Sequence, residues 1–425
     1  EQDIKEIVEA IYLHGWWIYR RRSLYASLGN HTICETVGLV FAGAVCRKTT
    51  EGNRWLKEGV KLLRQELRHQ ILDDGGPVEQ SLSYHRFVLD LYWLAKDFLE
   101  KNEIQDLTEF QTRLLKGEAF LNTIQDSVRR VPATVASDHR YAMPPRVPPS
   151  RNQLQKPSKN FTIFATSGYT VLRGSDDLVF TFDHGPLGMA PLYNHGHADA
   201  LSVTLNISGS QILIDPGTYR YNGVPEWRKY FKGTRAHNTV TVDGRDQANQ
   251  ETGFIWSRPY NARLIKHKQT DEVFYLHASH DGYTQPQSPL THFRALAWFP
   301  DEGFIIKDTF EGAGDHEFEI SYHIHPDAAI NEENGWWMAA NQKVRVFMRL
   351  LPGDVFTSTS GQKNPPFGWY SSEYGIKQPC TVLSCSKKGT PVNVSFMTAI
   401  WLDFTPNINL LKKRYSKIER QAEHP

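Results

Sequence analysis

The stretch PATVASDHRYAMPPRVPPSRNQLQKP, Pro132 to Pro157, divides this 425-residue chain into two parts of different texture. Six of its residues are proline, including Pro144-Pro145 and Pro148-Pro149, a content that bars regular helix and suits an extended linker. Upstream, Trp55–Leu63 and Phe87–Leu94 carry apolar residues at i, i+3, i+4 and i+7, the spacing of one helix face. Breaks near Leu28-Gly29-Asn30, Thr49–Gly52 and Asp73–Pro77 predict at least four helices joined by short loops. Downstream, short β-branched runs bounded by Gly, Asn, Asp or Pro recur to about Trp401. Among them are Phe161–Phe164, Leu201–Leu205, Gln211–Ile214 and Thr239–Val242. Helices followed by strands predict two domains. We place a helical domain at 1–131, a linker at 132–158, an all-β sandwich at 159–405 and a tail at 406–425. With Lys412-Lys413-Arg414, the tail reads as a solvated basic end.

Composition excludes several classes. Forty-eight basic against 47 acidic residues leave no global field to recruit nucleic acid or an anionic membrane. No stretch approaches the ~18 consecutive apolar residues of a membrane span. The chain begins at Glu1 without an apolar signal core, so we expect a processed or truncated product. Cys34, Cys46, Cys380 and Cys385 form no C-x-x-C pair and are expected to be buried small hydrophobes. Cys34 and Cys46 fall in one helical run, which sets them ~18 Å apart, too far for a disulfide.

The densest chemical signal is Asn194-His195-Gly196-His197-Ala198-Asp199. On an extended chain, His195 and His197 share a face. Asp215 ends the run Gln211–Ile214, and His237 precedes Thr239–Val242, so all these groups are expected at strand edges. Two histidines and a carboxylate suit a borderline divalent ion such as zinc. The bland alternative is a set of surface or satisfied core histidines. No dinucleotide, P-loop, H-E-x-x-H or G-x-S-x-G motif competes.

Further stretches join this one. They are Gly185-Pro186-Leu187-Gly188, Ile214–Tyr219, Glu226-Trp227-Arg228 and Ala236–Val240 in the β-half. In the α-half they are Gly29-Asn30-His31 with Glu35, Asp74-Gly75-Gly76, Glu79-Gln80-Ser81 and Ser83–Phe87. In order and content they resemble the heparinase II/III-like polysaccharide lyases. That resemblance implies an α/α-toroid followed by an antiparallel β-sandwich, with the active site in the cleft between them. The family's toroid is longer than the helical part here, which implies an incomplete toroid lacking its first helices. The segment Val131–Thr134 departs from the family's loop after the toroid. The His-x-His-x-Asp form is closer to the heparinase II-like branch, which leaves the polysaccharide open.

The resemblance implies β-elimination at C4 of a uronic acid, beginning with removal of the C5 proton. An ionised carboxylate acidifies that proton poorly, so donors must first neutralise it; Asn30 and His31 take that role. Tyr84 removes the proton or protonates the leaving oxygen, and His195 serves as the second base where the two lie on opposite faces. Arg86 and Tyr221 are candidates for substrate binding. A base needs a free lone pair, so His197 rather than His195 is the expected metal ligand, with Asp215 and His237; the ion, zinc by its ligands, would be structural. Each role has a bland counterpart: Asn30 as a helix N-cap, Tyr84 as a packed tyrosine, His31 with Glu35 as a surface pair. The expected partner is an acidic polysaccharide (a glycosaminoglycan or gellan-like chain), and the family implies a periplasmic or secreted location. Rival readings are an alginate lyase, a zinc hydrolase and a glycan-binding protein without turnover.

Overall fold

A computed structural model describes residues 2–25, 27–132, 160–284 and 289–423; beyond Pro132 the expected linker lies outside them. The described chain forms two compact units, dividing after Thr123.

The first unit contains five helices, α1 Gln2–Arg21, α2 Asn30–Val45, α3 Thr50–Gln70, α4 Leu82–Lys101 and α5 Thr108–Ile124. Helices α3 and α4 start conventionally: the Thr49 hydroxyl accepts from the Gly52 N–H, and the Ser81 hydroxyl from the Tyr84 N–H. Helix α2 starts on Gly29, which offers no side-chain cap. Its apolar face buries Ile33, Val37, Leu39 and Val40, while Trp55 and Leu63 of α3 and Val88, Leu89 and Tyr92 of α4 are buried as well. Each such side chain contributes roughly 1.5–3 kcal/mol.

The second unit is a sandwich of two antiparallel sheets. One sheet has nine strands. It runs from Phe161–Phe164 through Tyr169–Arg173, Val179–Asp183, Val203–Ile207 and Ser210–Leu213 to His316–Ile324, Thr381–Gly389 and Thr357–Ser360. Val240–Val242 pairs with His316–Ile324. The other has eight strands, with Ser395–Leu402, Gly303–Gly312 and Leu290–Phe299 at its centre. Alternate side chains from both sheets interleave in the core. Phe180 of one stacks on Phe304 of the other at 4.3 Å, and Phe310 meets Phe318 at 4.4 Å.

Three expectations are corrected. The helical domain was expected to reach residue 131, but 124–132 belong to the β-unit. There Asp126 accepts from Asn206, Gln125 from Arg173, and the Ser127 N–H bonds Asp177. The tail expected to be solvated is helix α6, Ile408–Glu423, which buries Leu411 and Ile418 beside Trp401. Lys412 and Lys413 are exposed, while Arg414 packs over the Phe299 ring and pairs with Glu302. Finally, Cys46 and Cys380 are buried, but Cys34 is exposed and Cys385 only half-buried.

Candidate active site and metal centre

His197, Asp215 and His237 converge, with ligand atoms all within 4.8 Å of one another. Asp215 follows the strand Ser210–Leu213, and His237 lies between a short 3-10 turn and Val240–Val242, at strand edges as expected. His195 and His197 do not lie on a strand. They sit in the irregular loop between Val179–Asp183 and Val203–Ile207, so period-two alternation does not govern them. Gly196 shapes this loop: a Cβ there would lie 2.1 Å from the Leu187 carbonyl oxygen. The Trp256 indole N–H donates to the Gly196 carbonyl at 2.8 Å and pins the turn.

The cluster has the electrostatics of a cation site. His197 and His237 are fully buried, and Asp215 nearly so. Among the described residues, both ring nitrogens of His197 and Nε2 of His237 lack a hydrogen-bond partner, which is costly in a buried site. Nδ1 of His237 pairs with Asp215 Oδ2 at 3.0 Å. Burial, then the neighbouring His237, holds His197 well below its ordinary pKa. Burial opposes protonation of His237 too, but the charge and hydrogen bond of Asp215 outweigh it and raise its pKa. Buried Asp183 and Asp199 are pushed up, first by burial and then by repulsion among the neighbouring carboxylates, Asp215 included. A divalent cation would relieve that repulsion and use the orphaned nitrogens. The residues fit a metal.

Sequence reasoning missed what holds these ligands. The Asn238 side chain donates to the Val203 and Ile214 carbonyls at 2.7 and 2.9 Å and accepts the His323 N–H at 2.6 Å. It thereby ties the segment carrying His237 to three others. Arg294, paired with Asp308 at 2.7 Å, donates to the Leu201 and Asn238 carbonyls at 2.6 and 2.7 Å. Nothing in local sequence marks either contact; only the adjacency of Asn238 to His237 offered a signal.

In the helical unit, Asn30 is the first residue of α2 and is buried, but it does not cap the helix. Its Nδ2 donates to both carboxylate oxygens of Glu79, at 3.1 and 3.2 Å, and its backbone N–H to Oε1 at 3.3 Å. Burial pushes the Glu79 carboxyl up to about 7 against those bonds. His31 is exposed, while its expected partner Glu35 accepts from the Ser23 hydroxyl at 2.7 Å. Tyr84, in the first turn of α4, and Arg86, at the start of the second, are half-buried, with the Tyr84 ring edge-on to Phe87 at 6.5 Å. In the β-unit, half-buried Tyr221 packs against Phe254 and Tyr374, with ring centres 5.5 and 5.4 Å apart.

Helices followed by an antiparallel sandwich with a buried cluster of two histidines and one carboxylate define a two-unit protein with a candidate metal centre. The chain belongs to the heparinase II/III family: residues 156–408 match "Heparinase II/III-like, C-terminal" and residues 1–128 match "Heparinase II/III N-terminus". It is similar to a "Heparin-sulfate lyase" of Bacteroides stercoris, 23% identical over 89% of this chain and 58% of the relative. A second "Heparin-sulfate lyase", of Pedobacter heparinus, is 22% identical over 93% of this chain and 62% of its own. The chain thus spans about three-fifths of the length of these curated relatives. A crystal structure of heparinase III superposes with TM-score 0.73 at 17% identity, over 90% of this chain and 62% of the other, which establishes the shared fold.

Proposed function

We propose that this protein is a polysaccharide lyase that cleaves a uronic-acid-containing glycosaminoglycan by β-elimination, with heparan sulfate the first substrate to test. The observation that carries the reading is the buried His197–Asp215–His237 cluster two residues from His195, in a family whose relatives bear the name heparin-sulfate lyase. Asn30 and His31 donate to the uronate carboxylate. A base, Tyr84 or His195 according to the face on which hydrogen lies, takes the C5 proton; the C5–H electrons become the C4=C5 double bond. The C4–O4 bond breaks, and O4 leaves with a proton from Tyr84. Arg86 and Tyr221 contribute to holding the chain.

His197, His237 through Nε2, and Asp215 would hold one divalent ion, zinc by its ligand set. When bound, the ion supplies a cross-link between three segments, and His197 held there orients the loop carrying His195. The burial of all three ligands supports a closed structural site rather than the open one a hydrolase needs. No helix of the described residues is long and apolar enough to cross a membrane. We place the protein in the periplasm or outside the cell, where such polysaccharides occur. The test is incubation with heparan sulfate, chondroitin, hyaluronan, gellan and alginate. The reading requires ultraviolet-absorbing unsaturated ends from at least one glycosaminoglycan. New reducing ends without that absorbance would establish hydrolysis and overturn it.

A further inference from the structure

Glu79 has no place in the elimination as written, yet its carboxyl grips Asn30 at two points, through the backbone N–H and through Nδ2. Burying this group is expensive, because a carboxyl taken from water needs compensating donors. Capping the helix does not require it. Helices α3 and α4 use Thr49 and Ser81 at their own N-caps, whereas α2 begins on a glycine and is met by an acid 49 residues away. Gly29 is shaped for that visitor. It adopts φ +93°, which favours glycine, and a Cβ there would lie 1.9 Å from Glu79 Oε1. The N-cap position has thus been cleared of a side chain to admit a costly one.

The value of the arrangement lies in the chemistry of an amide. An Asn side chain presents N–H donors at one end and an oxygen at the other, and its terminal torsion is broad. Facing an anionic ligand, the oxygen end repels and the nitrogen end attracts. A carboxylate accepts only, so Glu79 selects the nitrogen end and fixes the plane of the group. Resting on the lyase reading, we infer that Glu79 is a positioning residue for the elimination: it clamps the Asn30 amide so that its nitrogen end is held in one direction and cannot exchange places with the oxygen when the uronate carboxylate arrives. Preorganised donors count most where charge grows, and here it grows on the substrate carboxylate as the C5 proton leaves.

The test is a double-mutant cycle in the intact protein, comparing wild type, Asn30→Ala, Glu79→Ala and the double variant, with Glu79→Gln alongside. Initial rates of ultraviolet-absorbing product on heparan sulfate give kcat and KM, and melting curves report the fold. Glu79→Ala should lower kcat roughly 10–100-fold and move KM less than about 3-fold, since the lost interaction strengthens in the transition state. The double variant should be no worse than Asn30→Ala within about 2-fold, because a clamp has no function without the group it holds. Glu79→Gln, whose oxygen accepts the same N–H groups, should recover to within about 5-fold of wild type. A double variant that loses the product of the two single losses would overturn the inference, as would a Gln variant no better than Ala. Should Glu79→Ala fail to fold, Glu79→Asp, whose shorter carboxylate falls short of Nδ2, takes its place in the same cycle. A wild type that yields no absorbing product from any uronic-acid polysaccharide overturns the lyase reading and this inference together, whereas an active wild type with additive losses overturns the inference alone.

Discussion

The two units hold their functional side chains by different means. In the β-unit the candidate ligands are buried and over-determined: His237 is fixed by Asp215, its neighbour Asn238 spans three backbone segments, and Arg294 braces two carbonyls from below. In the helical unit the side chains sit at first turns and loop ends, with Tyr84 half-buried, His31 exposed and Asn30 held from outside its own helix by Glu79. The first arrangement suits a group that must not move. The second suits the proposed roles, in which these groups meet a polymer and pass protons to it.

Tyr84→Phe should break the helical half with the largest effect. In the proposed elimination the hydroxyl handles a proton worth ~10²–10⁴-fold in rate, and Phe preserves the packing volume. Product formation should fall by that factor, while heparan sulfate retention and melting temperature stay near wild type. Near-normal turnover would remove Tyr84 from the mechanism.

His237→Ala should break the β half differently, through the fold. An ion that binds the folded chain at ~1,000 times its dissociation constant adds about 4 kcal/mol of stability. Metal analysis should therefore find one divalent ion per wild-type chain and none in the variant, whose melting temperature should fall; strong chelation should reproduce that fall. A chelated protein that stays equally stable but loses all activity would reverse the comparison and favour a hydrolytic metal.

What could be read in the sequence follows the same division. Helix and strand textures are local, so the α-then-β order, the loops at Gly29 and Gly75-Gly76 and the strand edges at Asp215 and His237 were all visible. The loop at His195 was not, because Gly196 and the Trp256 indole bend a run that alternation alone would leave straight. The end of the helical unit was misplaced because 124–132 dock through polar contacts of Asp126 that no periodicity encodes. Helix α6 was hidden by its basic composition, although Leu411, Tyr415 and Ile418 keep helical spacing. The partners that matter most, Glu79 for Asn30 and Arg294 under Asn238, lie 49 and 56 residues away, and only the folded chain brings them together.

Asn238→Ala sharpens the comparison at intermediate size. It strips partners from the Val203 and Ile214 carbonyls and the His323 N–H, all buried. Leaving several such groups unsatisfied should cost about 3 kcal/mol in urea unfolding, with metal content reduced as His237 loses its frame. A loss below about 1 kcal/mol would mean the centre is not braced as described.

The smallest effect tests the same idea from the other side. Tyr92 is fully buried in the helical unit, and its hydroxyl donates to the Leu63 carbonyl at 3.2 Å. On burial alone it resembles Asn238. The difference lies in what is left behind. Leu63 lies inside α3, where its carbonyl keeps the N–H four residues onward as a partner, and Phe fills the same space without a polar atom. Removing the hydroxyl therefore orphans nothing. We expect Tyr92→Phe to cost about 1 kcal/mol or less in urea unfolding, with turnover unchanged. A cost matching that of Asn238→Ala would show that the helical unit, too, rests on buried polar contacts, and the contrast between the two units would disappear.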